Sequence, residues 1–331
     1  MRVLVTGASG FLGSHVADQL SAAGHQVVAL VRKSSKVDFL KTLKGVELAY
    51  GDVADRDSIR EAVKGADAVI HSAGAVKARS PEEFHQINVG GTERILAACQ
   101  AAGVPKLVHT SSPSCTFGGG DHEGVREADC PYPERFDAIY PETKARAERL
   151  ILGANSPTLA TVSLRPHLIY GPEDPHLLPR VVARAAQGRL AIVGDGENRV
   201  GLTYVDNAAA AHRSAADALP GACAGRAYFI TDPEPVALWP WINRVLAALG
   251  IAPVTRRVPL GLARVLGTVM ETIWPLFGLK GEPPMTRFVA RQLATSHWYD
   301  LTGAITECHY APPVSGEVAF ERTIAWLRSR T

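Results

Sequence analysis

Arg2-Val3-Leu4-Val5-Thr6-Gly7-Ala8-Ser9-Gly10-Phe11-Leu12-Gly13 opens the chain, followed by the helix-period stretch Ser14–Ala23 and then Gly24. A short apolar run bounded by glycine reads as a buried strand, and the switch from period 2 to period 3.6 marks strand, turn, helix. Gly7 permits the sharp turn, Gly10 lets an anion approach the backbone, and Gly13 lets the helix lie close against the sheet. Because the N-terminus of such a helix faces the turn, a dinucleotide pyrophosphate is the expected occupant. Phe11 and Leu12 are counted with the same cofactor-binding turn.

Outward from this unit, Gln26–Val31, Val46–Tyr50, Ala68–Ser72, Lys106–Ser111 and Thr161–Arg165 also read as strands, each followed by a helical pattern. Short buried strands alternating with helices indicate βαβ units with right-handed crossovers. The expected fold is α/β: a Rossmann-type doubly wound parallel sheet with a smaller C-terminal substrate domain. The first domain is placed at 1–165 and the second mainly at 166–331, with a segment near 203–219 returning to the first. No internal repeat or low-complexity tract suggests a solenoid or disorder.

The 331 residues are 46% hydrophobic and 21% charged, with 35 Lys+Arg against 33 Asp+Glu and a net charge of +2. That balance offers no electrostatic footprint for nucleic acid. Cys99, Cys115, Cys130, Cys223 and Cys308 form no CxxC pair, so neither a disulfide framework nor a zinc pattern is expected. A reduced, cytoplasmic setting fits, and Met1–Thr6 runs into glycines without a signal-peptide core. Val258 to Leu279 is apolar, but Arg264, Glu271 and Pro275 interrupt it, so it is too broken to span a bilayer. Leu262, Val265, Leu266, Val269 and Met270 there can share one helical face. The 257–280 region is therefore open to three readings: core, an apolar lid, or a surface for a membrane or a pathway partner.

An acidic residue that would hold a ribose 2′-hydroxyl is missing after the second strand, where Arg32-Lys33-Ser34-Ser35 stands instead. A guanidinium there pairs with a 2′-phosphate, so NADP(H) is favoured, with NAD(H) possible. Asp52 and Val53 after the third strand, and Ser72-Ala73-Gly74 after the fourth, lie at carboxyl ends where ligands bind in open α/β sheets. Asp52 is a candidate acceptor for the adenine amino group.

Tyr140-Pro141-Glu142-Thr143-Lys144 sets a phenol and an ammonium one helical turn apart. Lys144, with a nicotinamide cation, is expected to lower the phenol's pKa so that Tyr140 exchanges a proton with a substrate oxygen as hydride moves. Ser112, at the end of Lys106–Ser111, is the expected oxygen-orienting hydroxyl, with Ser111 and Ser114 as alternatives.

With these residues in order, the sequence resembles the extended short-chain dehydrogenase/reductase family. The resemblance rests on Thr6–Gly13, Thr110-Ser111-Ser112, Tyr140 with Lys144, Asn88–Thr92, Leu164–Pro172 and Thr203–Ala208, and it covers essentially the whole chain. It implies that Asn88 holds the active-site geometry, that Pro166 and His167 lie beside the nicotinamide, and that a homodimer packs helices near 81–101 and 138–154. Ser111–Ser114, Tyr132-Pro133, Arg165–Pro172, Val193–Gly196 and Gly281–Phe288 look like the 3β-hydroxysteroid dehydrogenase group, which includes 4-carboxysterol 3-dehydrogenases and 2-alkyl-3-oxoalkanoate reductases; the second half resembles the latter most. This implies an NAD(P)-dependent oxidoreductase interconverting a 3-hydroxyl and a 3-ketone on a bulky lipid or sterol. His176, Arg180 and Arg287 are candidates for meeting a substrate carboxylate. A nucleotide-sugar epimerase or dehydratase and a non-catalytic NADP-sensing protein remain the alternatives.

Overall fold

Seven parallel strands build the central sheet of the computed structural model, which describes residues 1–277 and 283–330. They are β1 (Arg2–Thr6), β2 (Gln26–Val31), β3 (Val46–Tyr50), β4 (Ala68–His71), β5 (Lys106–Thr110), β6 (Ala160–Pro166) and β7 (Arg226–Ile230), in the order β7-β6-β5-β4-β1-β2-β3. Six of these are the strands expected from the apolar runs, with ends shifted by at most one residue. The seventh, β7, pairs with β6 from Arg226↔Val162 to Ile230↔Pro166, a partner some sixty positions earlier in the chain. The order reverses at β1 and β4, so their carboxyl ends, carrying Gly7 and Ser72–Gly74, open a crevice.

Helices cover both faces. On one, α1 (Phe11–Ala22) packs against the later helix α4 (Val205–Ala218), held by His15 Nδ1 to Asp206 Oδ1 at 2.7 Å and by Gln19 Nε2 donating to the Asp206 carbonyl at 2.6 Å. Opposite lie α2 (Gly90–Ala102) and α3 (Ile139–Gly153), whose Ile95, Cys99 and Ile151 are buried with Leu4, Val69 and Leu107. The core on the α1 and α4 face, with Val16, Leu20 and Ala208, also takes in Phe229, Leu301, Ala304 and Tyr310, so the chain returns to the large sheet beyond the 203–219 segment.

A second apolar cluster gathers Tyr170, Tyr204, Trp239, Ile242 and Phe320. A small four-stranded sheet joins Val236–Ala237, Arg199–Val200, His297–Tyr299 and His122–Val125. The apolar region around 257–280 forms helix α5 (Leu260–Leu276), against which α6 (Arg287–Ala294) packs. Residues 278–282, with the Gly281-Glu282 part of the motif above, lie outside the described residues. All five cysteines are buried and unpaired. No helix of the described residues is long and apolar enough to cross a membrane.

Candidate active site

The turn after β1 has the geometry its glycines imply. Gly7 has φ +71°, and a Cβ there would lie 2.8 Å from the Ala73 nitrogen; one on Gly13 would lie 2.1 Å from the Gly7 carbonyl oxygen. The loop, the β4 end and α1 can pack this closely only with glycine at those positions. Gly10 caps α1 in extended backbone and no side chain caps its first-turn N–H groups. A cleft of about 670 Å³ runs past them, bordered by Gly7, Ser9, Gly10, Arg32, Asp52, Val53, Ser72, Ala73 and Gly74. Volume, exposed helix N-terminus and missing Cβ atoms fit an extended dinucleotide.

Other expected cofactor residues support the cleft without lining it. Leu12 is buried in the core beneath, Phe11 packs its ring against His15, and Lys33 is exposed and outside the cleft lining. Ser35, whose N–H closes that turn on the Arg32 carbonyl, borders the cleft, as do Ala54, Ala75, Lys77, Gln86 and Ile87. These were missed, although Ser35 stands in the quoted basic turn and Ala75 directly follows Ser72–Gly74. Asp52 spends one oxygen on the Ala54 N–H at 2.9 Å.

Asn88 is buried on a π-helical turn, His85–Val89, that joins Pro81–Phe84 to α2. This i→i+5 turn inserts a residue and re-aims the side chain. Asn88 Oδ1 accepts from the Ala75 N–H at 2.7 Å, and Nδ2 donates to the Ala75 carbonyl at 3.1 Å and to Thr143 Oγ1 at 3.0 Å. One amide thus joins the cleft wall to the helix that carries Tyr140 and Lys144.

Three serines follow β5 in different roles. Ser112 shares a hydrogen bond with the Tyr140 phenol and accepts from the Ser114 hydroxyl at 2.9 Å. Ser111 turns into the protein toward Cys115 and Glu148. The hydroxyl facing the phenol is therefore that of Ser112, with Ser114 behind it. Lys144 is buried, its Nζ donating to the Thr110 carbonyl at 2.5 Å, and a Cβ on Gly74 would sit 3.7 Å from that nitrogen. Burial pushes the Lys144 ammonium down to about 8, although Cys115 and Glu148 work to raise it. Burial also raises the Tyr140 phenol above its ordinary value, against the Ser112 hydrogen bond. That direction is opposite to the lowering expected from Lys144 with a nicotinamide cation, because burial outweighs the Ser112 hydrogen bond.

Beneath lies a buried ion pair. Arg165 Nε and Nη2 donate to Glu148, the shortest at 2.6 Å, and the Tyr132 hydroxyl adds a bond of 2.7 Å. Burial works to raise the Glu148 carboxyl, but the Arg165 charge and hydrogen bonds outweigh it and hold it below the usual carboxylate range. Glu148 follows Lys144 by one turn of α3, so the pair anchors the helix just below the reactive groups. Beyond Pro166, His167 is buried, donates from Nδ1 to the Gly201 carbonyl at 2.7 Å, and packs edgewise on His297 and Tyr299. Burial takes it to about 4, leaving a neutral ring.

Arg180 lies near enough to His176 for its charge to act on the imidazole, whereas Arg287 is engaged elsewhere. His176 borders the dinucleotide cleft, while Arg287 is taken by Glu271 on α5, Nε to Oε2 2.6 Å. Arg291 on α6 instead reaches Asp137, three residues before Tyr140, with Nη1 to Oδ2 at 2.5 Å.

Residues 4–260 match the 3-beta hydroxysteroid dehydrogenase/isomerase family. The chain belongs to that family. Its relatives include a 2-alkyl-3-oxoalkanoate reductase of Stenotrophomonas maltophilia (strain K279a), 46% identical over 97% of this chain and 98% of that protein. They also include the human sterol-4-alpha-carboxylate 3-dehydrogenase, decarboxylating, 33% identical over 99% of this chain and 88% of that protein. Among solved structures, gox2253 superposes with a TM-score of 0.78 at 28% identity, covering 99% of this chain and 98% of that one. MoeE5, solved with UDP-glucuronic acid and NAD, shares the fold with a TM-score of 0.76 at 24% identity over the full length of both chains. This family member is a Rossmann-type oxidoreductase.

Proposed function

We propose that the protein reduces the 3-oxo group of a bulky, apolar 2-alkyl-3-oxo acid to the 3-hydroxy acid, with NADPH as reductant. The observation that carries the chemistry is the hydrogen-bonded Ser112–Tyr140 pair, with Lys144 one turn along and its Nζ beside Gly74, which borders the glycine-lined cleft. Similarity to 2-alkyl-3-oxoalkanoate reductases over nearly the whole chain supports the substrate class.

NADPH, when bound, supplies a hydride to carbon 3. Tyr140 donates its proton to the 3-oxygen, and the Ser112 hydroxyl, itself held by Ser114, donates a second hydrogen bond that orients that oxygen. A phenol raised by burial is protonated near neutral pH, the form reduction needs. The reductive rate is therefore flat at low pH and falls as pH rises through the Tyr140 pKa. Lys144 would hold the nicotinamide ribose and return a proton to the phenolate. Gly7, Gly10 and the α1 N-terminus would take the pyrophosphate, and Asp52 and Val53 would border its adenine end. No carboxylate ends β2, and Arg32 with Ser35 suits a 2′-phosphate. A homodimer through α2 and α3 completes the reading.

The test is nicotinamide absorbance with NADPH plus a long-chain 2-alkyl-3-oxo acid, against NAD plus a 3β-hydroxysterol-4-carboxylate. Turnover of the oxo acid is expected. Turnover of the sterol alone would reassign the substrate, and turnover of a UDP-sugar with silence from both would reassign the reaction.

A further inference from the structure

Among the described residues bordering the dinucleotide cleft, the charges of Arg32 and Lys77 are balanced by those of Asp52 and Glu83. A nicotinamide dinucleotide is strongly anionic, and this balance leaves no positive surplus to meet it. The remaining titratable group on the wall is His176, of the side-chain type whose charge changes nearest neutral pH.

The sheet order assigns His176 to one half of the cleft. β1 lies between β2 and β4, so the glycine turn separates Arg32, which follows β2, from Lys77, which follows β4. Arg32 and Ser35 suit the 2′-phosphate. His176 belongs with Lys77, whose charge acts on its ring. In that half the one anionic group a dinucleotide offers is its pyrophosphate, next to Gly10 and the α1 N-terminus.

The turn that carries His176 is fixed from below. Asp174 is buried and spends its carboxylate on backbone: Oδ1 accepts the N–H groups of His176 at 2.8 Å and Leu177 at 3.0 Å, and Oδ2 accepts that of Leu178 at 2.8 Å. Leu178 is buried in the second apolar cluster, while His176 stands exposed at the cleft. A turn held this way loses little freedom when a ligand arrives. The charged groups facing the ring are Lys77 from the loop after β4, Asp174 from its own turn and Arg180 from the helix Leu178–Ala186. Burial first, then Lys77, hold the imidazole below its ordinary value; Arg180 adds to them, and Asp174 and the Pro175 backbone oppose. The ring is therefore neutral at pH 7 in the protein alone, and a pyrophosphate against it would favour the charged form.

We propose that His176 is a cofactor-binding residue that meets the dinucleotide pyrophosphate beside Lys77 and takes up a proton as the cofactor binds. This rests on a nicotinamide dinucleotide in the cleft and not on the substrate, and it applies to NADH and NADPH alike. The test is fluorescence titration of the full chain with NADH from about pH 6 to about pH 8, since the 2′-phosphate of NADPH itself titrates near pH 6. Affinity is expected to rise as pH falls, by at most about tenfold per unit for one proton. His176→Gln should weaken NADH and NADPH alike by about tenfold at the acid end and abolish the pH dependence. His176→Arg, charged throughout, should bind tightly at every pH. Calorimetry in buffers of different ionisation enthalpy should show proton uptake on NADH binding by the wild type and none by either variant, and equal Tm values show that all three are folded. Dinucleotide affinity untouched by His176→Gln overturns the proposal; a rise confined to KM for the oxo acid would put the imidazole on the substrate carboxylate instead. Equal weakening by both substitutions also overturns it, because charge would then be irrelevant. A wild type that binds neither dinucleotide would remove the cofactor reading itself.

Discussion

In β1 and β2 every residue from Val3 to Val5 and from Val27 to Val31 is buried, whereas Leu262, Val265, Leu266 and Val269 of α5 stand in solvent. Both stretches are rich in branched apolar residues, so composition does not separate them. Neighbours do: β1 pairs with β2 and β4 while helices close both faces, and α5 is supported by α6. The same apolar side chain adds to a core where strands and helices surround it and stays in solvent where no element covers it.

The largest effect expected is at the polar centre of the buried region. Tyr140→Phe should lower kcat by about 10²–10⁴-fold and leave NADPH affinity intact, measured by single-turnover absorbance and fluorescence titration; near-normal turnover would remove Tyr140 from the chemistry. Glu148→Gln strips the buried Arg165 of its counter-charge and should destabilise the protein by about 3–5 kcal/mol in denaturant unfolding. Leu4→Ala in β1 should cost about 2–5 kcal/mol. Arg32→Asp, at the exposed rim of the cleft, should weaken NADPH roughly tenfold while NADH barely changes; equal effects on both would take Arg32 off the 2′-phosphate. Smallest of all, Leu262→Ala on α5 should stay within about 0.5 kcal/mol of wild type. A cost as large as that of Leu4→Ala would abolish the contrast between the regions.

Legibility in the sequence followed the same division. Strands β1 to β6 were readable because each is a continuous apolar run next to a turn residue, with its partner supplied by the following βαβ unit. Arg226–Ile230 escaped because its pairing is with a strand some sixty residues earlier, and the two- to four-residue strands of the small sheet carry no period. Ser112, Tyr140 and Lys144 were visible as a pattern, and the structure pairs Ser112 with Tyr140 and buries Lys144 one turn along α3. The inward turn of Ser111 was not visible, because it depends on Glu148, a charge buried with Arg165 and Tyr132 as its partners. The direction of the Tyr140 shift escaped too, since spacing shows which charges are near but not how much water is excluded.

The π-turn at His85–Val89 carries a consequence for how such a site is gained or lost. Asn88 reaches Ala75 and Thr143 because one residue more than an α-helix accommodates is lodged in that turn. Deleting a single residue there would let the helix run on unbroken and swing the amide about 100° away. Core, glycine loop and Tyr140 would all be retained. Lineages related to this chain could thus part company through an insertion or deletion that leaves every catalytic letter in place, and a comparison of residue identities alone would not register it.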